Sequence, residues 1–305
     1  MKYLLALLLA LSPAVVSATV QLPTNSDALR SLPWPFGTSL RGSYVSMVKL
    51  GHMYYYFSEK APNNKTSGLN LYGGKDEKRP KYLGVIAPRE MISDVREENG
   101  TLAKDRLFTR LTVRHSARDK KLYALANVSN GYPSKDGKVL PSLWVSQSED
   151  PKGAWSYLGK LGGELAELKG AYSSMGFLVN DQHDEAVNHR DPLKNKFIYF
   201  IDLVHGSERG VTITYSRNGR EWFFHRNSSG GLVNLRPTQF KSDDAWTFFS
   251  VVKAPLGYHA VVSPGWPAHR HRLLYSADGY SWIEAASTPK QKFANHKEAK
   301  NVGLS

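Results

Sequence analysis

The 305-residue sequence contains no cysteine, which excludes disulfide bonds, cysteine nucleophiles and zinc–thiolate sites. Hydrophobic residues make up 41% of the chain, so we expect a core large enough to stabilise the fold without covalent cross-links. The formal net charge of +13 is expected to attract polyanions.

The first 18 residues have the pattern of a cleavable signal peptide. Lys2 precedes an apolar run that ends at Val16–Ala18, and Ser12–Pro13 interrupts this run, which makes it short for a membrane anchor. We therefore predict a secreted or periplasmic protein whose mature chain, residues 19–305, forms a single domain without a transmembrane segment. For an exported protein the expected polyanions are acidic polysaccharides, lipid headgroups or phosphorylated envelope polymers, and not nucleic acid.

A pattern of strands occurs four times along the mature chain. Each copy has a strand, a short turn, an aromatic strand, a loop, a third strand and a last strand that carries Trp or Tyr. The aromatic second strands begin near residues 52, 121, 196 and 257, about 60 to 75 residues apart. The copies cover residues 43–86, 107–161, 185–227 and 245–285, and the third copy is predicted to take its first strand from 185–195. This spacing predicts an all-β protein, a β-propeller with four-stranded antiparallel blades.

Residues 19–42 and 286–305 remain at the two ends of the repeat. Together they could supply a further blade, which gives a five-bladed propeller, with four blades as the alternative. The segment 286–305 is polar and basic, so the other interpretation of it is a disordered tail.

One turn recurs between the third and last strands of the copies. Ser216–Trp222 matches Ser276–Trp282 position for position, and Ser146–Trp155 is a looser version. An Asn or Asp followed by Gly suits a turn that needs positive φ, because the Asx side chain can bond to its own turn backbone. The Trp that follows is expected to pack between neighbouring sheets. We therefore predict that Asp278 serves stability and not chemistry.

These turns, together with the aromatic second strands, resemble those of the five-bladed β-propeller carbohydrate-active proteins: the arabinanase, xylosidase and invertase-like glycoside hydrolases. They resemble the Asp-box sialidases more distantly. The resemblance implies a glycoside hydrolase that acts on a polysaccharide or glycoconjugate, with its catalytic carboxylates at the starts of the innermost strands.

Inner strands of a propeller run in one direction around the axis, so carboxylates at their starts converge on one mouth, as glycoside hydrolysis requires. The candidates placed there are Asp105 for the second copy, Asp184 and Glu185 for the third and Asp244 for the fourth; the first copy offers only Arg41–Ser43 and no carboxylate. Six further residues are predicted to bind substrate: Trp34, Arg41, Arg106, Arg110, His183 and His189.

Two other functions remain open at this point. The first is a polysaccharide lyase that acts on an acidic uronate polymer, in which Arg neutralises the carboxylate and His moves the proton. The second is a noncatalytic propeller that binds glycan or protein. We predict no cofactor; a divalent metal near His183 and His189 is chemically conceivable, but their spacing matches no metal motif.

Overall fold

The computed structural model describes residues 45–58, 68–76, 79–88, 107–129, 141–167, 176–186, 189–205, 208–236, 246–254, 256–264 and 272–287. Almost all of this chain is β-structure. None of the helices in the described part of the chain is long and apolar enough to span a bilayer.

The strands form four sheets, which we call blades 1 to 4. Blade 1 contains β1 (Val45–Leu50), β2 (Met53–Ser58), β3 (Gly68–Gly74) and β4 (Lys81–Pro88). Blade 2 contains β5 (Leu107–Ser116), β6 (Lys121–Ser129), β7 (Pro141–Ser146) and β8 (Trp155–Lys160).

The chain then forms the short strand β9 (Gly162–Gly163) and one helical turn, α1 (Glu164–Glu167). Blade 3 contains β10 (Gly176–Val179), β11 (Phe197–His205), β12 (Glu208–Ser216) and β13 (Glu221–Phe224), and β9 pairs with β13 in parallel. Blade 4 contains β14 (Trp246–Ala254), β15 (Gly257–Pro264), β16 (Arg272–Ser276) and β17 (Ile283–Ser287).

The first strands of the four blades lie next to one another at the centre of the molecule. β1 contacts β5, β5 contacts β10, and β10 contacts β14. Within each blade, neighbouring strands are antiparallel and follow in chain order, apart from the added β9. The predicted all-β propeller with four-stranded antiparallel blades is therefore confirmed, and its second strands begin where the aromatic repeat placed them.

Three hydrophobic clusters hold the blades together, one at each seam between consecutive blades. Phe57 of blade 1 packs with Trp144 and Trp155 of blade 2. Tyr199 and Trp222 of blade 3 pack against blade 2, and Trp282 of blade 4 packs against blade 3. Each large ring fills the space between two sheets, which is where burial of apolar area contributes most to stability.

The side of blade 4 that points away from blade 3 is more open. Across its strands lie Val252, His259, Tyr275 and Ile283, of which Val252 and Ile283 are 47% and 50% exposed. Among the described residues, no cluster joins blade 4 to blade 1. The first two residues of the segment 286–305 complete β17 of blade 4, whereas 19–42 and 288–305 lie outside the described residues, so the fifth blade and the disordered tail both stay predictions.

The first strand of blade 3 differs from the one predicted. It is the short apolar segment Gly176–Val179, and residues 185–195 belong instead to the connection between β10 and β11. A 3-10 helix, Pro192–Lys194, forms in that connection, where the Asp191 side chain accepts a hydrogen bond from the Leu193 backbone. Four apolar residues are too few to show a strand period, and the polar connection after them was taken for the strand.

Candidate functional site

The inner strands β1, β5, β10 and β14 all end on the same face of the propeller. Ser116, the last residue of β5, donates a hydrogen bond of 2.5 Å to the carboxylate of Asp181, just beyond β10. Lys253 near the end of β14 donates one of 3.3 Å to the side chain of Gln182. We call this the C-terminal face; the N-terminal face is the opposite one, where the inner strands begin at Val45, Leu107, Gly176 and Trp246.

Asp184 and Glu185 lie on the C-terminal face. They were predicted to precede the inner strand of blade 3, and this placement is wrong because they follow β10 by five and six residues. They are thus separated from the N-terminal face, where the starts of β5 and β14 lie.

Both carboxylates make local contacts near the surface. Glu185, with its side chain 67% exposed, lies 3.1 Å from the Arg118 guanidinium and 3.9 Å from Nε2 of His183. Asp184 accepts a hydrogen bond of 2.9 Å from the Ala186 backbone, and its other oxygen lies 3.9 Å from Nε2 of His189. Exposed ion pairs of this kind contribute little to stability.

The burial and hydrogen bonds of His183 are those of a residue with a structural role. Its side chain is almost fully buried, and Nδ1 donates a hydrogen bond of 2.7 Å to the Asn180 carbonyl oxygen. Its own carbonyl oxygen accepts a hydrogen bond of 2.6 Å from Arg118, which belongs to blade 2. Arg118 therefore joins blades 2 and 3 through the main chain at His183.

His189 is held through its backbone. Its N–H donates to the side-chain oxygen of Asn195 at 3.1 Å, and its carbonyl oxygen accepts from the Asn195 amide at 2.8 Å. Among the described residues, no group of three or more His, Asp or Glu side chains could hold a metal ion.

Six predicted residues remain, and five of them cannot be located. Trp34, Arg41, Asp105, Arg106 and Asp244 lie outside the described residues. Arg110 lies in β5, where the pairing with β6 is interrupted by a bulge between Thr109 and Thr112, and its side chain is outside the described part. The strands that follow Asp105 and Asp244 are described, and each begins two residues further on, at Leu107 and Trp246.

Arg114 of β5 connects three blades across the centre of the propeller. Its guanidinium donates to the carbonyl oxygens of Phe177 in β10 at 2.9 Å and Val251 in β14 at 3.0 Å. It also donates to the Val113 carbonyl oxygen and, at 3.4 Å, to the Ser250 hydroxyl. Desolvation lowers the pKa of Arg114 to about 10, so it stays charged at neutral pH.

No family model matches the sequence, and no curated protein matches it. Solved structures do resemble it. A family 43 glycoside hydrolase, a β-1,3-galactosidase, has a TM-score of 0.50 and 17% identity, with 78% of this chain and 44% of that chain covered. Another family 43 β-1,3-galactosidase, solved with galactodeoxynojirimycin, has a TM-score of 0.50 and 14% identity, with 80% and 75% covered.

An exo-β-1,3-galactanase from Phanerochaete chrysosporium, solved with β-1,3-galactotriose, also has a TM-score of 0.50, at 12% identity, with 80% and 49% covered. The chain thus spans less than half the length of the first of these structures. At such identities the likeness concerns the fold, and it confirms that this propeller resembles those of glycoside hydrolases.

Proposed function

We propose that this protein is a glycoside hydrolase whose reaction takes place on the N-terminal face, with Asp105 and Asp244 as its two carboxylates. One observation carries the proposal: Arg114 on β5 reaches the backbone of β14, so the inner strands of blades 2 and 4 lie within one Arg side chain of each other. Because the two strands are neighbours across the centre, we expect carboxylates just ahead of them to meet across the mouth of the propeller.

Glycoside hydrolysis needs this kind of pair. Two carboxyl groups flank the scissile bond, about 5 to 5.5 Å apart in retaining enzymes and about 6.5 to 9.5 Å apart in inverting ones. Asp184 and Glu185 are left out of the proposed pair because they lie on the C-terminal face. The fold shared with family 43 glycoside hydrolases supports a carbohydrate substrate, and the predicted signal peptide supports export.

The experiment compares two pairs of variants. Purified protein without residues 1–18 is incubated with soluble arabinan, xylan and galactan, and released reducing sugar is measured. We expect Asp105→Asn and Asp244→Asn each to lower the rate by about 10²- to 10⁴-fold, as removal of a general acid or base does. Asp184→Asn and Glu185→Gln are the matched controls, with rates within about twofold of wild type. Loss of activity in the controls alone would refute the proposed location.

A noncatalytic glycan-binding propeller is the second candidate. It is favoured by the absence of any carboxylate in the four residues ahead of β1, Arg41–Tyr44, and ahead of β10, Tyr172–Met175. Binding to a polysaccharide with no release of reducing sugar would support it. The lyase alternative is weakened at one of its candidate bases, because His183 is only 5% exposed. Formation of unsaturated product from polygalacturonate would support the lyase.

A further inference from the structure

A pocket opens on the C-terminal face at the seam between blades 1 and 2. Its volume is about 420 Å³, within the range of small-ligand sites. One wall is the end of β1 with the turn after it, Lys49–Gly51, and the other is the turn between β7 and β8, at Glu149–Pro151. Tyr55 and His115 line it between these walls. None of these residues belongs to the proposed reaction site.

The turn that forms the outer wall is longer than its relatives. The Trp follows the Ser by nine positions in blade 2 (Ser146–Trp155) and by six in blades 3 and 4 (Ser216–Trp222 and Ser276–Trp282). All three turns keep the same end contact, in which the Trp indole N–H donates to a turn carbonyl oxygen, at Pro151, Gly219 and Gly279 respectively. The longer turn is thus anchored like the others, and it carries Glu149 and Asp150 to the pocket rim.

The corresponding seam between blades 3 and 4 is closed. There the shorter turn packs directly on the connection of the preceding blade: the Tyr280 hydroxyl donates to the Asp191 carboxylate, and Gly279 lies against Leu193. A Cβ atom at Gly279 would come within 2.5 Å of the Leu193 side chain, so no space remains. The seam with the shorter turn, between blades 3 and 4, is thus closed, and the seam with the longer turn, between blades 1 and 2, is open.

The groups around the pocket suit a neutral sugar. Glu149 and Asp150 accept hydrogen bonds from hydroxyl groups, Lys49 donates them, and the half-buried Tyr55 ring offers a flat apolar surface. The Glu149 carboxylate lies 2.8 Å from Nε2 of His115 and fixes the imidazole ring. Two carboxylates at the rim disfavour a uronate, and because they are consecutive on one wall they cannot flank a glycosidic bond from both sides.

We propose that this pocket is a noncatalytic binding site for a neutral sugar residue of a polysaccharide, which it holds on the face opposite to the reaction. The choice of ligand rests on the proposed carbohydrate function. The site would keep the protein bound to a polymer while another segment of the same polymer is cleaved. Binding there would raise the effective concentration of that segment at the reaction site.

The test replaces the long turn with the short one. In the turn-swap variant, residues 147–154 are replaced by the five residues at 277–281; both segments carry a net charge of −1, so charge is matched. A second variant, Glu149→Gln with Asp150→Asn, keeps the backbone. Binding is measured by retardation in native gels that contain soluble arabinan, xylan or galactan, with polygalacturonate as the anionic control. Near-ultraviolet circular dichroism checks that each variant is folded.

We expect wild type to be retarded by at least one neutral polymer and both variants to bind it about tenfold more weakly. Retardation by polygalacturonate, which any basic protein shows, should survive in the turn-swap variant. Unchanged retardation of a folded turn-swap variant, or no retardation of wild type by any neutral polymer, would overturn the proposal. The hydrolase proposal is tested separately by the hydrolysis of a small chromogenic glycoside. We expect both variants to retain this activity.

Discussion

Replacing Asp278 with Ala removes four hydrogen bonds from the turn between β16 and β17. Oδ1 accepts from the Tyr280 and Ser281 backbone N–H groups and from the Ser276 hydroxyl, at 2.7 to 2.9 Å, and Oδ2 accepts from the Ser281 hydroxyl at 3.0 Å. Behind this turn the Trp282 ring is buried against blade 3. The change therefore loosens a contact between two blades.

The expected loss of stability follows from the pKa of the carboxyl group. Partial burial alone would raise the pKa of Asp278, but the hydrogen bonds from Ser281, Tyr280 and Ser276 outweigh it and lower the value from 3.8 to about 2. At about 1.36 kcal/mol per pKa unit, this drop corresponds to roughly 2.4 kcal/mol. Because Asp278 is exposed, solvent screening should leave about half. We expect Asp278→Ala to cost about 1 to 2 kcal/mol at pH 7.

Blade 3 supplies a control for the charge. Asn218 occupies the same position there, and its Oδ1 accepts the equivalent hydrogen bonds from Arg220, Glu221 and Ser216. Asp278→Asn should therefore cost less than Asp278→Ala. The folded carboxyl has the lower pKa, so the advantage of Asp over Asn is fully present above about pH 4 and is lost as pH falls toward 2.

The assay is guanidinium chloride unfolding followed by Trp fluorescence for the three proteins, in steps from pH 7 to pH 2.5. Equal stability of wild type and Asp278→Ala at pH 7 would refute the structural role. A constant difference between wild type and Asp278→Asn across this pH range would refute the electrostatic part. A stable but inactive Asp278→Ala protein would show that the carboxylate serves chemistry.

Two further changes test the blade seams. Arg114→Met removes the bonds to the carbonyl oxygens of β10 and β14, and we expect it to cost about 2 to 4 kcal/mol in the free energy of unfolding, with Arg114→Lys intermediate; a loss below about 0.5 kcal/mol would contradict the bridging role. Gly219→Ala should lower the melting temperature, because Gly219 has φ +77° and a Cβ there would lie 2.6 Å from the Leu143 side chain. Gly230→Ala, with φ +83° and no neighbour within 4 Å, is the control for backbone strain alone, and an equal loss in both would refute the steric part.

Local patterns were enough to predict the blades. Each aromatic strand and each Ser-to-Trp turn can be recognised from about ten consecutive residues. The starts of β2, β6, β11 and β15 were therefore predicted close to where they are observed. The strand β10 was missed because four residues carry no period, and this error moved Asp184 and Glu185 to the opposite face. The carboxylates ahead of β5 and β14 stay predictions.

The contacts between blades could not be predicted in this way. Arg114 bonds to residues 63 and 137 positions away, and no local pattern encodes such partners. The pocket between blades 1 and 2, in contrast, could have been predicted from the lengths of the turns. The three turns could be compared by length, and the longer one in blade 2 marks the seam that stays open.

Arg114 bonds to Phe177 and Val251 through their backbone oxygens and not through their side chains. Every amino acid presents the same carbonyl group, so mutations at positions 177 and 251 leave its acceptors in place. During evolution the residues at positions 177 and 251 could therefore change independently, without a compensating change at Arg114. For these two bonds the demand for identity falls on position 114, where a long, forked donor spans the three strands. Only the longer bond of 3.4 Å, to the Ser250 hydroxyl, depends on the side chain of a partner.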